Sequence, residues 1–455
     1  MFRAAVRLNR GWLRGSVHRP LSEGFVPAKR IEHLVLDGNV FADFTALSNQ
    51  HGAANLGQGF PSFGAPHFLS EVLSEVCDGD KFSEQEQVAP ENLNYQYSKP
   101  GEEASLAQLL ADRYSSRLGE QLDASNVCST VGAQEGLYTT FASFCNEGDE
   151  IVTITPAFDS YFKSAAVLGI TVKAVPMHYD ASTSHSAKDL KLDISSLRST
   201  LTRDTKILLL NTPSSPLGKV FSRTELLEVA EVVKDFPNLL VVSDEVYECM
   251  TFGGAKHVHF ASLPGMFDRT ISIFSAGKTF SCTGWRVGYA IGPSNLIHNV
   301  KTLHSVINFC TTTTFQKAVA KAFSAADQCN YFEWLPEMLQ DKRDRLCAAL
   351  DVVGMDYILP DGGYFVVVDI RKFFEQAGID ESTFSSLSPD TPLQERPDVL
   401  FSKWLVSEVG VGPIPMSPFY IPEQRHLANN YIRLAFCKDD TTLNLAIERL
   451  KAKLS

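Results

Sequence analysis

Between about residues 105 and 320 the chain alternates short apolar runs with longer stretches of helical period. Glu150–Thr155, Thr171–Val175, Lys206–Asn211, Leu239–Asp244, Thr270–Phe274 and Val287–Ile291 read as strands. The first five are separated by stretches long enough for crossovers, and one of these, Ser222–Val233, has the 3.6-residue period of a helix. Strands that are apolar nearly throughout, joined in this way, predict an α/β fold: a mostly parallel sheet sandwiched by helices. The pattern then changes. Long helical stretches lead to Gly363–Asp369, a polar Ser/Pro/Asp stretch at 382–397, and Asn430–Phe436, which together predict a smaller α+β domain. The segments 182–190 and 382–397 read as surface loops. The expected divisions are 1–23, a 24–57 arm that contributes to the small domain, a large domain over 58–323 and a small domain over 324–455.

Composition narrows the function. A chain of 455 residues exceeds what one core supports, in keeping with two domains. A net charge of −12 argues against nucleic acid as the partner, and no apolar run approaches a membrane span. The nine cysteines are scattered and contain no C-x-x-C pair, as expected of reduced thiols rather than a disulfide frame or zinc site. His257 and His259, close to Gly253-Gly254, read as part of a polar loop, with no metal expected. Arg3, Arg7, Arg10, Arg14 and Arg19 punctuate a start that holds no acidic residue before Glu23. That composition predicts a mitochondrial transit peptide over 1–23 and a place in the matrix; a basic tail with no address is the alternative.

The chemistry centres on Ser275-Ala-Gly-Lys278, directly after the apolar run Thr270–Phe274. A lysine among small residues at a strand end is held against apolar walls, which weakens its preference for charge and makes it a nucleophile for an aldehyde. Arg286, eight positions on and past Thr283-Gly284, adds a phosphate-sized cation. An aldehyde that carries a phosphate is pyridoxal 5'-phosphate; the alternative is a solvated loop lysine. Asp244 closes a strand, where it can keep a pyridine nitrogen protonated or merely cap a helix, and Tyr247 follows one turn later. Gly132-Ala133-Gln134 opens a helix, so it offers backbone N–H groups to a phosphate or forms a tight turn. The nucleotide-binding glycine spacings are absent there. Phe158 follows a strand and either stacks on a flat ring or belongs to the core. Arg433 interrupts an apolar strand and needs an anion, either a substrate carboxylate or a structural partner.

Longer stretches carry a resemblance. Asn55-Leu-Gly-Gln-Gly-Phe-Pro61, Asn211-Thr-Pro213 with Pro216-Leu-Gly-Lys-Val-Phe-Ser222, Asp244-Glu-Val-Tyr247, Ala261-Ser-Leu-Pro-Gly-Met266 and Ser275-Ala-Gly-Lys-Thr-Phe-Ser281 resemble the fold-type I pyridoxal-phosphate aminotransferases. Within them the chain is most similar to the kynurenine aminotransferase group, also called glutamine transaminase K or cysteine-S-conjugate β-lyase. The resemblance implies that Lys278 is the Schiff-base lysine, that Asp244 pairs with the pyridine nitrogen, and that Tyr247 bonds the phenolic oxygen. It gives Ser275, Arg286 and the backbone at Ala133-Gln134 to the phosphate, and Phe158 to the ring. Arg433 is implied for the substrate α-carboxylate and Gly59 for the substrate site. Tyr97 and Phe309 are implied to act in a neighbouring subunit, so the resemblance implies a homodimer with shared active sites. The substrates implied are an amino acid (kynurenine, glutamine, or a large apolar or aromatic one) and a 2-oxo acid, with β-elimination as a further outlet.

Three positions depart from the family pattern. Ser215 precedes Pro216 where an asparagine is usual, Gln134 stands where an aromatic is frequent, and Phe41 where some members have tryptophan. A noncatalytic protein on the same fold is the rival reading, opposed by the joint presence of Lys278, Asp244, Tyr247, Arg286 and Arg433. The resemblance implies that the asparagine donates to the cofactor's phenolic oxygen, so serine in its place predicts a raised pKa for the imine of Lys278 unless the serine or a water replaces the bond. Titrating the cofactor's visible absorbance in the natural chain and in Ser215→Asn tests this; equal pKa values in the two would refute it.

Overall fold

Seven apolar runs form one sheet: β1 (Val127–Val131), β2 (Glu150–Thr155), β3 (Thr171–Pro176), β4 (Thr205–Asn211), β5 (Leu240–Asp244), β6 (Thr270–Ser275) and β7 (Val287–Ile291). The computed structural model describes residues 27–31, 34, 39–78, 94–183 and 185–454. The basic segment 1–23 lies outside the described residues. Strand order is β1-β7-β6-β5-β4-β2-β3, with β7 antiparallel to both neighbours and every other pairing parallel.

The near-continuous apolarity of the strands has a direct structural cause. On β4, Leu208 and Leu210 pack with Val229 and Val233 of the helix Arg223–Lys234. Ile207 and Leu209 point to the other face and pack in a cluster with Leu137, Phe141, Ile297 and Val300. Val241 and Val242 on β5 divide in the same way. A strand covered on both faces admits only small polar residues such as Ser243 and Ser272 until it reaches the sheet edge, where Asp244 and Ser275 stand. The helix Arg223–Lys234 starts at Ser222, whose side chain accepts from Glu225 N while Glu225 reciprocates.

A second, antiparallel sheet follows: β8 (Tyr357–Ile358), β9 (Phe365–Asp369), β10 (Ile414–Pro415) and β11 (Tyr431–Ala435), in the order β10-β11-β9-β8. Arg433 lies on β11, opposite Val367 and Ile414. The arm joins this sheet's side of the molecule. Ala54–Asn55 pairs in parallel with Val411–Gly412, and Ala435 N donates to Leu56 O at 2.6 Å. Residues 57–60 thereby run beside β11.

Asn39–Ser455 forms one compact unit. Leu335 and Leu339 of the helix Tyr331–Val353 share a core cluster with Phe274 and Tyr289 of the large sheet and Val366 and Val368 of the small one. Residue 324 lies inside the helix Thr313–Gln328. Neither expected surface loop is a plain loop. Ala187 and Leu190 are buried because Ser186 bridges to Leu359, and 382–397 contains short 3-10 turns and ends on the helix Pro397–Trp404.

Candidate functional site

A cavity of about 470 Å³ opens between the carboxyl ends of the large sheet's strands, residues 58–60 and β11. Strands β4, β5 and β6 end at it with Asn211, Asp244 and Ser275. Ligands of open α/β sheets collect at this edge, because the strand ends and the starts of the following helices both face it.

Lys278 is not in a loop. It lies on the one-turn helix Ala276–Thr279, whose N-cap is Ser275; the Ser275 hydroxyl accepts from Lys278 N at 3.4 Å. This short turn carries the amine from the end of β6 into the cavity. Its Nζ donates to Gly59 O at 2.7 Å and lies over the rings of Tyr247 and Tyr364, 5.7 and 5.4 Å away. Burial, with Arg433 and Arg286 adding repulsion, lowers its pKa from 10.5 to about 8, despite opposition from Cys437 and Asp244. Gly59 lacks a side chain for steric reasons: a Cβ there would be 2.6 Å from the Phe365 ring.

Asp244 caps no helix, since residues 246–249 form turns. It is 4% exposed, accepts from the Tyr161 hydroxyl at 2.5 Å and from Val246 N at 3.3 Å, and burial raises its pKa to about 6 against those two bonds. Directly behind it, Glu245 is fully buried and bonded by His257 and His259 at 2.7 and 2.5 Å and by Ser272 at 3.1 Å. The two histidines do lie in a loop, but their side chains are buried, at 8% and 10% exposure. Both nitrogens approach one carboxylate oxygen at hydrogen-bond distance, nearer than the ~3.3 Å that separates two donors on one tetrahedral ion. The histidines hold Glu245 well below the usual carboxylate range despite its burial, and Glu245 raises the pKa of His259 against the desolvation that would lower it.

An anion seat occupies another wall. The helix Gly132–Phe144 begins without a side-chain cap, so the first-turn N–H groups around Ala133 and Gln134 face the cavity beside Ser275 and Arg286. Gly132 has φ +75, and a Cβ there would be 2.5 Å from Arg286 Nη2. Arg286 itself holds the left-handed conformation at φ 56, with its guanidinium bonded to Thr283 O and Val131 O. A non-glycine residue kept there implies that its surroundings enforce the side chain's direction.

Arg433 is 2% exposed, and burial lowers its pKa to about 10, so it is cationic at neutral pH. Its guanidinium carbon lies 3.9, 4.8 and 5.6 Å from the ring centres of Phe365, Phe419 and Phe41. Nη2 donates to Gly57 O at 2.9 Å, while Nε is buried with no hydrogen-bond partner and no salt bridge reaches the residue among those described. The structural-salt-bridge alternative is thus set aside.

The cavity is also lined by Phe158, Ser215 and Tyr247; Phe158, half-buried at the start of the helix Asp159–Val167, lines it while also packing against the core cluster of Leu137 and Phe141. Tyr97 and Phe309 do not line it. They are 81% and 50% exposed and pack on each other at 4.8 Å. Sequence reasoning missed Tyr161, Asn211, Val246 and Lys163. The periodic signal for Tyr161 was present, since it lies one turn past Phe158. Asn211 donates from its amide nitrogen to Asp244 O and accepts from Ser215 N, which fixes its orientation beside Ser215.

The site therefore presents a desolvated amine, a buried carboxylate, an anion seat and an unpaired guanidinium within one cavity. These are the features that pyridoxal phosphate and an amino acid require, so the residues fit the expected group. Residues 53–450 match the model of the family described as aminotransferase class I and II. The chain is 37% identical over 447 residues to kynurenine–oxoglutarate transaminase of Dictyostelium discoideum, covering 96% of this chain and 99% of that one. It is 37% identical to human kynurenine–oxoglutarate transaminase 1, covering 93% and 98%. The N-succinyldiaminopimelate aminotransferase structure from Mycobacterium tuberculosis superimposes with a TM-score of 0.79 at 33% identity, covering 94% and 100%.

A lowered amine pKa has a measurable sign. The neutral, nucleophilic form of Lys278 gains population as pH rises through about 8, so at pH 7 about one-tenth is neutral, against under about one-thousandth for an ordinary lysine. Reductive trapping of an aldehyde on Lys278, quantified by peptide mass spectrometry, is expected to rise about tenfold per pH unit and level off above about 8. A profile still rising at pH 10 would contradict the desolvation.

Proposed function

The chain belongs to the class I and II aminotransferases, and we propose that it transfers the amino group of kynurenine, glutamine, or an aromatic or large apolar amino acid to a 2-oxo acid, with pyridoxal phosphate as cofactor. The observation that carries the reading is the coexistence of Lys278 and the unpaired, buried guanidinium of Arg433 in one cavity. A buried cation without an anion is costly, and the missing partner is supplied by the carboxylate common to every amino acid and 2-oxo acid.

Ser275, Arg286 and the N-terminal turn at Ala133-Gln134 would hold the cofactor's phosphate, with Phe158 against the ring and Tyr247 and Ser215 near its phenolic oxygen. When bound, the cofactor supplies an electron sink for the pair left behind at the substrate's Cα. Arg433 takes the α-carboxylate through two parallel N–H donors, which fixes the rotation of the substrate. Lys278 Nζ, neutral in a useful fraction at pH 7, accepts the Cα proton and returns it elsewhere on the same face. Asp244, ionised above about 6, supports a proton on the ring nitrogen, and the Tyr161 hydrogen bond favours that ionised form. The same proton removal expels a leaving group when a cysteine S-conjugate is the donor.

Tyr97 and Phe309 support a shared site. Two aromatic rings packed edge to face and left largely exposed, away from this chain's own cavity, suit insertion into the cavity of a second copy. The dimer is thus part of the proposal.

Arg433→Ala is expected to lower the half-reaction kcat/KM for L-phenylalanine about 10³-fold while sparing phenethylamine, which has no carboxylate. Equal losses for both would remove the carboxylate role, and a preference for aspartate over kynurenine, glutamine, phenylalanine and methionine would overturn the donor assignment. For the dimer, Lys278→Ala and Tyr97→Ala chains, each inactive alone, are expected to recover about one quarter of full activity when co-expressed, since half the dimers then hold one intact site. No recovery would mean that Tyr97 serves its own chain.

A further inference from the structure

Four cations line the cavity, and three have been accounted for: Lys278, Arg286 and Arg433. The fourth is Lys163. It lies on the helix Asp159–Val167 one turn past Asp159, and its Nζ is 2.6 Å from Asp159 Oδ2. The pair is asymmetric. The Asp159 side chain is 9% exposed and contributes to the field on Arg433, whereas that of Lys163 is 42% exposed. The lysine can swing away from its partner without leaving solvent; the aspartate cannot. Because the same helix begins beside Phe158 and carries Tyr161, Lys163 stands at a fixed place relative to the reacting end of the cavity.

We propose that Lys163 is the specificity residue that receives the distal carboxylate of a dicarboxylic 2-oxo acid, and that Asp159 reclaims it when an uncharged side chain occupies the same space. The inference rests on the amino-group transfer proposed above. Donor and acceptor both place their α-carboxylate on Arg433, so their side chains occupy one volume in turn, bounded by Phe41 and Phe60. A permanently unpaired cation there would penalise an apolar or aromatic donor, and a wholly apolar wall would penalise a second carboxylate. A lysine with two alternative anionic partners keeps its own charge paired in both halves of the cycle, while a released Asp159 keeps the field of Arg433. An ordinary surface pair would have no such dependence on the acceptor.

The test compares the natural enzyme, Lys163→Met and Lys163→Arg in their cofactor-loaded forms. The ratio of kcat/KM for 2-oxoglutarate to that for phenylpyruvate is expected to fall about tenfold in Lys163→Met and to be largely restored in Lys163→Arg. Calorimetric binding supplies a readout without turnover: glutarate is expected to weaken about tenfold in Lys163→Met relative to 3-phenylpropionate. A ratio that moves less than twofold in both measurements would overturn the proposal. A natural enzyme that accepts phenylpyruvate but neither uses 2-oxoglutarate nor binds glutarate would also overturn it while leaving the transfer reaction intact. Failure with every amino donor and oxo acid would instead bring down the underlying function. Misfolding of Lys163→Met would show as loss of phenylpyruvate turnover, and Lys163→Arg would then decide the matter through its glutarate affinity.

Discussion

Desolvation of charge is the constraint on which the rest of this structure depends. Lys278, Asp244 and Arg433 are held at the edge of one cavity, and burial is the largest influence on each. It pushes all three toward neutrality, but to different ends. The amine reaches a range where a neutral nucleophile exists at physiological pH, the carboxylate stays mostly ionised, and the guanidinium keeps its charge. One physical effect thus leaves a partly neutral amine, an ionised carboxylate and a cationic guanidinium, because the three groups start from different intrinsic pKa values.

Such an arrangement needs rigid support, and the fold provides it from behind. The strand end that presents Asp244 continues into Glu245, which turns the opposite way and is gripped by His257, His259 and Ser272. Through His259 the network approaches Glu248, which is bonded in turn to Tyr114 and Arg117. A buried network of this kind resists displacement even though His257 Nδ1 has no partner, so the carboxylate on the cavity side inherits a fixed position. The anion seat uses another device, in which the left-handed Arg286 is packed against a glycine that leaves it room.

The chemistry and the substrate preference belong to different parts of the cavity. Family membership accounts for the reacting end, where Lys278, Asp244 and Arg433 converge. The relatives with the same fold differ in the amino donors that their names record, so the fold alone does not select the donor. In the proposed function selection falls to Phe41 and the Asp159–Lys163 pair, which line the same cavity. Of these, only Phe41 drew notice in the sequence, and only as a departure from a pattern.

What the sequence by itself determined is local and repetitive. The strands at 150–155, 205–211, 240–244, 270–275 and 287–291 were legible to within about a residue, because a strand buried on both faces leaves a predominantly apolar run broken only by small Ser or Thr. Lys278, Asp244 and Ser275 were legible because a polar residue that ends such a run marks the sheet edge. The tertiary structure alone decided which distant residues meet. Tyr161 reaches Asp244 only because the helix after β2 returns over the sheet, and His257 and His259 read as a polar loop until Glu245 was placed beneath them. Arg433 read equally well as a salt-bridge partner, since hydropathy cannot report whether a carboxylate faces a buried cation. A one-dimensional pattern records how much each residue is hidden from water, whereas pairing in space depends on strand order and crossovers, which the pattern leaves open.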